Sequence, residues 1–148
     1  MAYADLNAIR GSVEKPLAQL MGSEYPGTPT VYNNINYIPD ARTLWVKSEV
    51  TFGSSEYLSL GDAVSGVDRL FGILIIDIFT PEGNGSGPAF TMGTKVRDLY
   101  NRKVIEGVYF DAANGPQVTN APIASGSTGG FFQTQIRVTF EYIAAPSN

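Results

Sequence analysis

The sequence predicts an α+β fold: a mostly antiparallel sheet of about four to five strands with two helices packed on one face. Three observations lead there. Phe131 to Ile143 alternates apolar and polar side chains with the two-residue period of a half-buried strand. Asp68 to Thr80 is apolar at nearly every position, as in a strand covered on both sides. Two further segments carry apolar residues at steps of three and four, the period of an amphipathic helix.

The first of these, Ala4 to Met21, places Leu6, Ile9, Val13, Leu17 and Leu20 on one stripe. Pro16 lies inside it, and a proline there removes a backbone hydrogen bond and clashes with the preceding turn, so a kink or break is expected near Lys15. Gly22 to Pro29 is a loop. Thr30 to Ile38 is a candidate strand through Val31, Tyr32, Ile35 and Tyr37, weakened by three asparagines and ended by Pro39-Asp40. Thr43 to Phe52 is a clearer one. Leu44, Val46, Val50 and Phe52 share a face, with Trp45, Lys47, Glu49 and Thr51 on the other. Gly53 to Gly66 is a polar loop.

In Asp68 to Thr80, Leu70, Leu74, Ile76 and Ile78 point one way, and Phe71, Ile73, Ile75, Asp77 and Phe79 the other. Pro81 to Gly87 is a glycine loop. The second helix follows over Pro88–Lys103, with Ser86 as cap, Pro88 in the first turn, and Ala89, Met92, Val96, Leu99 and Tyr100 on its apolar stripe. Val108–Phe110 and Gln117–Ile123 are short strands, and Ala124–Gly130 is a small-residue connection to the last strand. There, Phe132, Ile136, Val138, Phe140 and Tyr142 face one side, and Gln133, Gln135, Arg137, Thr139 and Glu141 the other.

Composition narrows the function. The chain has 148 residues, one domain's worth, and 1–148 is read as a single domain. Charged residues make up 16%, against about 25% in a typical soluble domain, so part of the surface is expected to meet protein. There is no cysteine and no histidine. That excludes disulfides, thiolate nucleophiles, histidine-based triads and the common zinc motifs. The net charge of −4 argues against tight nucleic-acid binding. No apolar run approaches the ~18–20 residues that span a bilayer, and the start has no continuous apolar stretch of a signal peptide, so the protein is expected to be cytosolic where it is made, with no membrane as partner. No catalytic, cofactor-binding or metal-ligating residue is assigned.

The remaining candidates are weak as chemistry. Gly83-Asn84-Gly85-Ser86-Gly87 sits between a strand and a helix, where phosphate cradles occur, but no GKS or GKT follows, and a connecting or partner-contact loop is the better reading. Scattered carboxylates mark no glycosidase pair. Asp77, among isoleucines and Phe79, is expected to pair with a cation or to lie at an interface. Tyr32, Tyr37, Trp45 and Tyr57 could form a carbohydrate or base-stacking platform, although such residues more often serve cross-strand packing.

The order of elements is familiar. A helix precedes a strand ending in Tyr37-Ile38-Pro39, then a Trp-bearing strand (Leu44-Trp45-Val46), then a hydrophobic strand ending Phe79-Thr80-Pro81-Glu82-Gly83-x-Gly85. An amphipathic helix with Ala89 follows, and the chain closes on Phe132-x-x-x-Ile136-x-Val138-x-Phe140-x-Tyr142. This resembles the small tail-terminator (tail-completion) proteins of long-tailed bacteriophages, the group that includes the lambda-type tail terminator, over roughly residues 3–143. The resemblance implies a structural protein of the virion neck with no enzymatic activity and no cofactor. It implies a ring, usually a hexamer, that caps the finished tail tube, stops tube polymerisation and meets the head-side connector or stopper. Its partners are then its own copies, the tail tube protein and the connector, with DNA only as passing cargo in the lumen, to which an acidic balance is suited.

The doubly apolar strand agrees, because one short chain with two helices covers one side of it more readily than both. Phe71, Ile73, Ile75, Asp77 and Phe79 are therefore the candidate subunit interface. Glu82, Gly83, Asn84, Gly85, Ser86, Gly87, Tyr57 and Ser127 are the candidate partner-contact loop residues. The alternatives are another neck ring such as a head-tail stopper or adaptor, a carboxylate-dependent hydrolase, or a carbohydrate-binding β module.

Overall fold

The computed structural model describes residues 5–40, 42–59, 61, 66–81, 83, 85–120 and 131–144. Glu82, Asn84 and Ser127, and with them the whole connection at 124–130, lie outside the described residues.

The architecture differs from the predicted one. Seven strands form one mixed sheet curled into a half-barrel, not a mostly antiparallel layer of four to five strands with two helices packed on one face. The strands are β1 (Thr30–Val31), β2 (Trp45–Tyr57), β3 (Asp68–Pro81), β4 (Val104–Ile105), β5 (Val108–Phe110), β6 (Asn114–Asn120) and β7 (Phe131–Ala144), and the helices are α1 (Leu6–Glu24) and α2 (Gly87–Tyr100). The sheet order is β1-β2-β3-β7-β5-β4, with β6 also pairing β7.

Three local causes account for the difference. The first is at β1, which is parallel to β2 and two residues long. Parallel neighbours need a connection of a dozen or so residues, and 32–44 is spent on it instead of extending the strand. Asn33 takes over the edge of β2: its Oδ1 accepts from the Val50 N–H at 2.8 Å and its Nδ2 donates to the Val50 carbonyl at 3.1 Å. The second is in β2, which runs past Gly53 to Tyr57 with a register shift between Phe52 and Ser55. Glu56 and Tyr57 pair with Arg69 and Asp68, so this polar stretch is strand rather than loop. The third is a tight hairpin of β4 and β5 turning on Glu106 and Gly107, both at positive φ (49° and 83°), the geometry of a primed two-residue turn.

Helix α1 is capped by Asp5, whose Oδ1 accepts from the N–H groups of Asn7 and Ala8. It does not break at Pro16. Helix α2 ends at Tyr100, three residues earlier than the sequence suggests, and Ser86 makes no side-chain cap bond, although its carbonyl accepts from the Phe90 N–H at 3.1 Å.

The curl gathers the inward side chains of the sheet around both helices. Val46, Val50, Leu74, Ile76, Ile78, Ile136, Val138 and Phe140 join Ile9, Val13 and Leu17 of α1 and Met92, Val96 and Tyr100 of α2 in one core. At Gly72 the approach is close: a Cβ there would lie 2.3 Å from Cζ of Phe140, so the ring lies directly on the backbone of β3. No helix of the described residues is long and apolar enough to cross a membrane.

Candidate subunit interface

The inward positions of β3 are fully buried at Leu74, Ile76 and Ile78, whereas Phe71, Ile73, Ile75 and Phe79 on the opposite side stay half-buried. Both helices contribute to the core on the inward side, so among the described residues no second layer covers the outward one. What shields the outward row comes from cross-strand neighbours.

At one end, Trp45 of β2 stacks on Phe79, with centroids 4.1 Å apart and ring planes 7° from parallel. Phe131 of β7 meets both edge-on, and Tyr37 packs on Trp45 at 5.0 Å. Tyr37 and Trp45 are thus brought together, but Phe79 covers one face of the indole, and Tyr32 packs against the core instead. Tyr57 is far from them, 79% exposed at the end of β2.

At the other end, the Arg69 guanidinium lies 5.9 Å from the centre of the Phe71 ring and donates to Glu56 at 3.0 Å. Its Nε is 3.4 Å from Glu141, a charge contact without hydrogen-bond geometry.

Asp77 interrupts the row and is 5% exposed. A cation partner is one of the two outcomes expected for it, and among the described residues no cation hydrogen-bonds it. Instead the Nε2 groups of Gln133 and Gln135 each donate to its Oδ1 at 3.0 Å. The register explains why, since β7 sets Gln135 directly opposite Asp77 and Gln133 opposite Phe79. Two amide donors on one carboxylate oxygen offset part of its burial without a second charge to desolvate. Lys47, opposite Asp77 on β2, bonds Glu49 at 2.7 Å. That bond, with the nearby Asp77 charge assisting, holds the Lys47 ammonium above its ordinary pKa.

The candidate contact loops fall at opposite ends of β3. Tyr57 pairs with Asp68 at its start, and the Pro81–Gly87 turn leaves its end. Fourteen residues of strand separate them by roughly 40 Å. In that turn Gly83 and Gly85 adopt φ of +91° and +75°, and Ser86 and Gly87 are exposed. A Cβ added at either glycine would meet nothing within 4 Å; their requirement is conformational.

Sequence reasoning found the row but missed its surroundings. The partners of Asp77 and the charged end at Arg69 follow from register, which alternation alone does not supply. It also missed the exposed Ile35 and Ile38, which it had assigned to a strand.

No family model matches the sequence, and no curated protein matches it. A solved protein structure that carries no functional name is similar: the two share 16% identity with a TM-score of 0.63, covering 99% of each chain. That likeness is one of fold.

Proposed function

We propose that this chain is a structural protein of a bacteriophage virion, a tail terminator that assembles into a ring, with a hexamer as the expected form, on the end of the tail tube. The observation that carries the reading is the outward row of β3: four large apolar side chains left half-buried on a face that, among the described residues, neighbouring strands alone shield. Obligate assemblies bury core-like surface of this kind. Two further features support it. The low share of charged residues, 16%, suits a chain with much of its surface in contact with protein. The two exposed contact regions at opposite ends of β3 suit a cap that meets the tube on one side and the head-side connector on the other. Growth of a tube requires the same heterologous contact to repeat, and a ring whose far side differs ends the repeat. DNA passes through the lumen as cargo, and the virion neck is the site of action.

The test is the mass of the protein in solution over a concentration series, with negative-stain images. Rings are expected for the wild type and lost in Ile75→Asp, whose thermal midpoint should stay close to wild type because that side chain is only half-buried. Unfolding of Ile75→Asp would place the row in the core of the single chain and overturn the reading.

A further inference from the structure

The connection between β1 and β2 holds the most exposed large apolar side chain of the described residues. Ile38 is 93% exposed and Ile35 61%. Its described residues have no regular secondary structure, yet they are anchored at Asn33, Tyr37 and Asp40. Asn33 is bonded to Val50 at both its amide atoms, and Tyr37 packs on Trp45. Asp40 closes a local turn, its Oδ1 accepting from the Arg42 N–H at 2.9 Å and its carbonyl from the Thr43 N–H at 3.0 Å. Two isoleucines are therefore held out from a braced strap. Bracing lowers the ordering cost of contact with a partner.

Ile38 does not reach the row of its own chain, or it would not be 93% exposed. The same chain thus carries a protruding apolar pair and, elsewhere, an apolar row. A contact between two different patches of identical copies is heterologous, and such contacts form rings when the rotation from copy to copy closes and filaments when it does not. Charge gives it a direction. Arg137 lies opposite Ile75 in the register and is exposed, and Asp40 lies two residues from Ile38; among the described residues neither makes an ion pair.

Building on the ring reading, we propose that Ile35 and Ile38 of one copy seat on the Phe71–Ile73–Ile75 row of the next copy, with Asp40 facing Arg137. Complementary charges at the margin fix orientation, and the apolar contact supplies the hold.

The chain contains no cysteine, so engineered thiols are the only ones present. Ile38→Cys and Ile75→Cys are made singly and together in the full chain and oxidised over a concentration series. The double variant should give a ladder of covalent oligomers. A mixture of the two single variants should give disulfide dimers containing one of each, and either single variant alone should remain uncrosslinked. Asp40→Arg should weaken association by about tenfold or more, and adding Arg137→Asp should restore it. Rings of wild-type protein without the Ile38–Ile75 crosslink, or with Ile38–Ile38 dimers instead, overturn this contact and leave the ring reading standing; that is also the outcome if the strap serves a different protein. A wild type that stays monomeric at every concentration, together with cysteine variants that yield no crosslink, overturns both.

Discussion

The hydroxyl of Tyr100, on α2, donates to the backbone carbonyl of Val13, on α1, at 2.7 Å. The same oxygen accepts from the Leu17 N–H at 3.2 Å. An ideal helix pairs these two backbone groups with each other. Pro16 lies between them, and the phenol bridges the site of strain. A water could fill such a gap on the surface, but here Val13, Leu17 and Tyr100 are all fully buried. Burial also pushes the phenol far above its ordinary pKa, so it remains a donor throughout the working range.

Removing that oxygen strands two buried backbone groups. Tyr100→Phe is expected to lower the unfolding free energy by about 1–3 kcal/mol, read as a lower urea midpoint at unchanged slope. In a Pro16→Ala background the loss should shrink, because α1 can then close its own bond. The double-mutant cycle measures that coupling.

Gly72 is expected to tolerate no side chain. Its Cβ would meet three atoms of the Phe140 ring at 2.3 to 2.9 Å. Gly72→Ala should cost about 1–3 kcal/mol through overpacking, and Phe140→Leu in the Gly72→Ala background should recover part of the loss. Thermal unfolding of the two single variants and the double variant checks this.

Glu14 gives stability a pH dependence. Burial raises its carboxyl above the ordinary 4.5, and the charge and hydrogen bond of Arg10 oppose this only in part. Its Oε2 is buried without a hydrogen bond among the described residues. A carboxyl with a raised folded pKa holds its proton more tightly when folded. Its contribution is complete below the unfolded pKa and lost as pH rises through the folded value. Glu14→Gln, neutral at every pH, should have a higher urea midpoint than wild type at neutral pH, and the gap should close below pH 4.5. An equal gap at both ends of the range would contradict this.

Much of the frame was legible in the sequence where periodicity is strong. The limits of β3 follow from its continuous apolar run, those of β7 from alternation, and the stripe of α1 from its steps of three and four. What was not legible depends on contacts between distant residues. The survival of α1 through Pro16 rests on a hydroxyl 84 positions away, since Tyr100 follows Pro16 by that interval. The length of β2 depends on Arg69 and Asp68 continuing to offer a ladder beyond Gly53. The curl and the mixed pairing arise where a two-residue β1 is parallel to its neighbour and where Glu106-Gly107 turns a hairpin too short to show a period. Of the candidate interface, the apolar row was legible and its setting was not, because the donors to Asp77 are chosen by register.

The hairpin of β4 and β5 ends the sheet on one side, and its turn is tied to α1 by exposed contacts. Glu106 accepts from the Ser12 hydroxyl at 2.5 Å and from the Lys15 ammonium at 2.8 Å, and those bonds hold its carboxyl below the usual range. A latch made of solvent-facing charge is easily screened by salt. That margin should therefore fray before the rest of the chain melts, its amide protons trading with solvent by brief local opening while those of the central strands wait for global unfolding. Hydrogen exchange at Ile105 and Val108, faster in high salt than in low, would record the latch letting go.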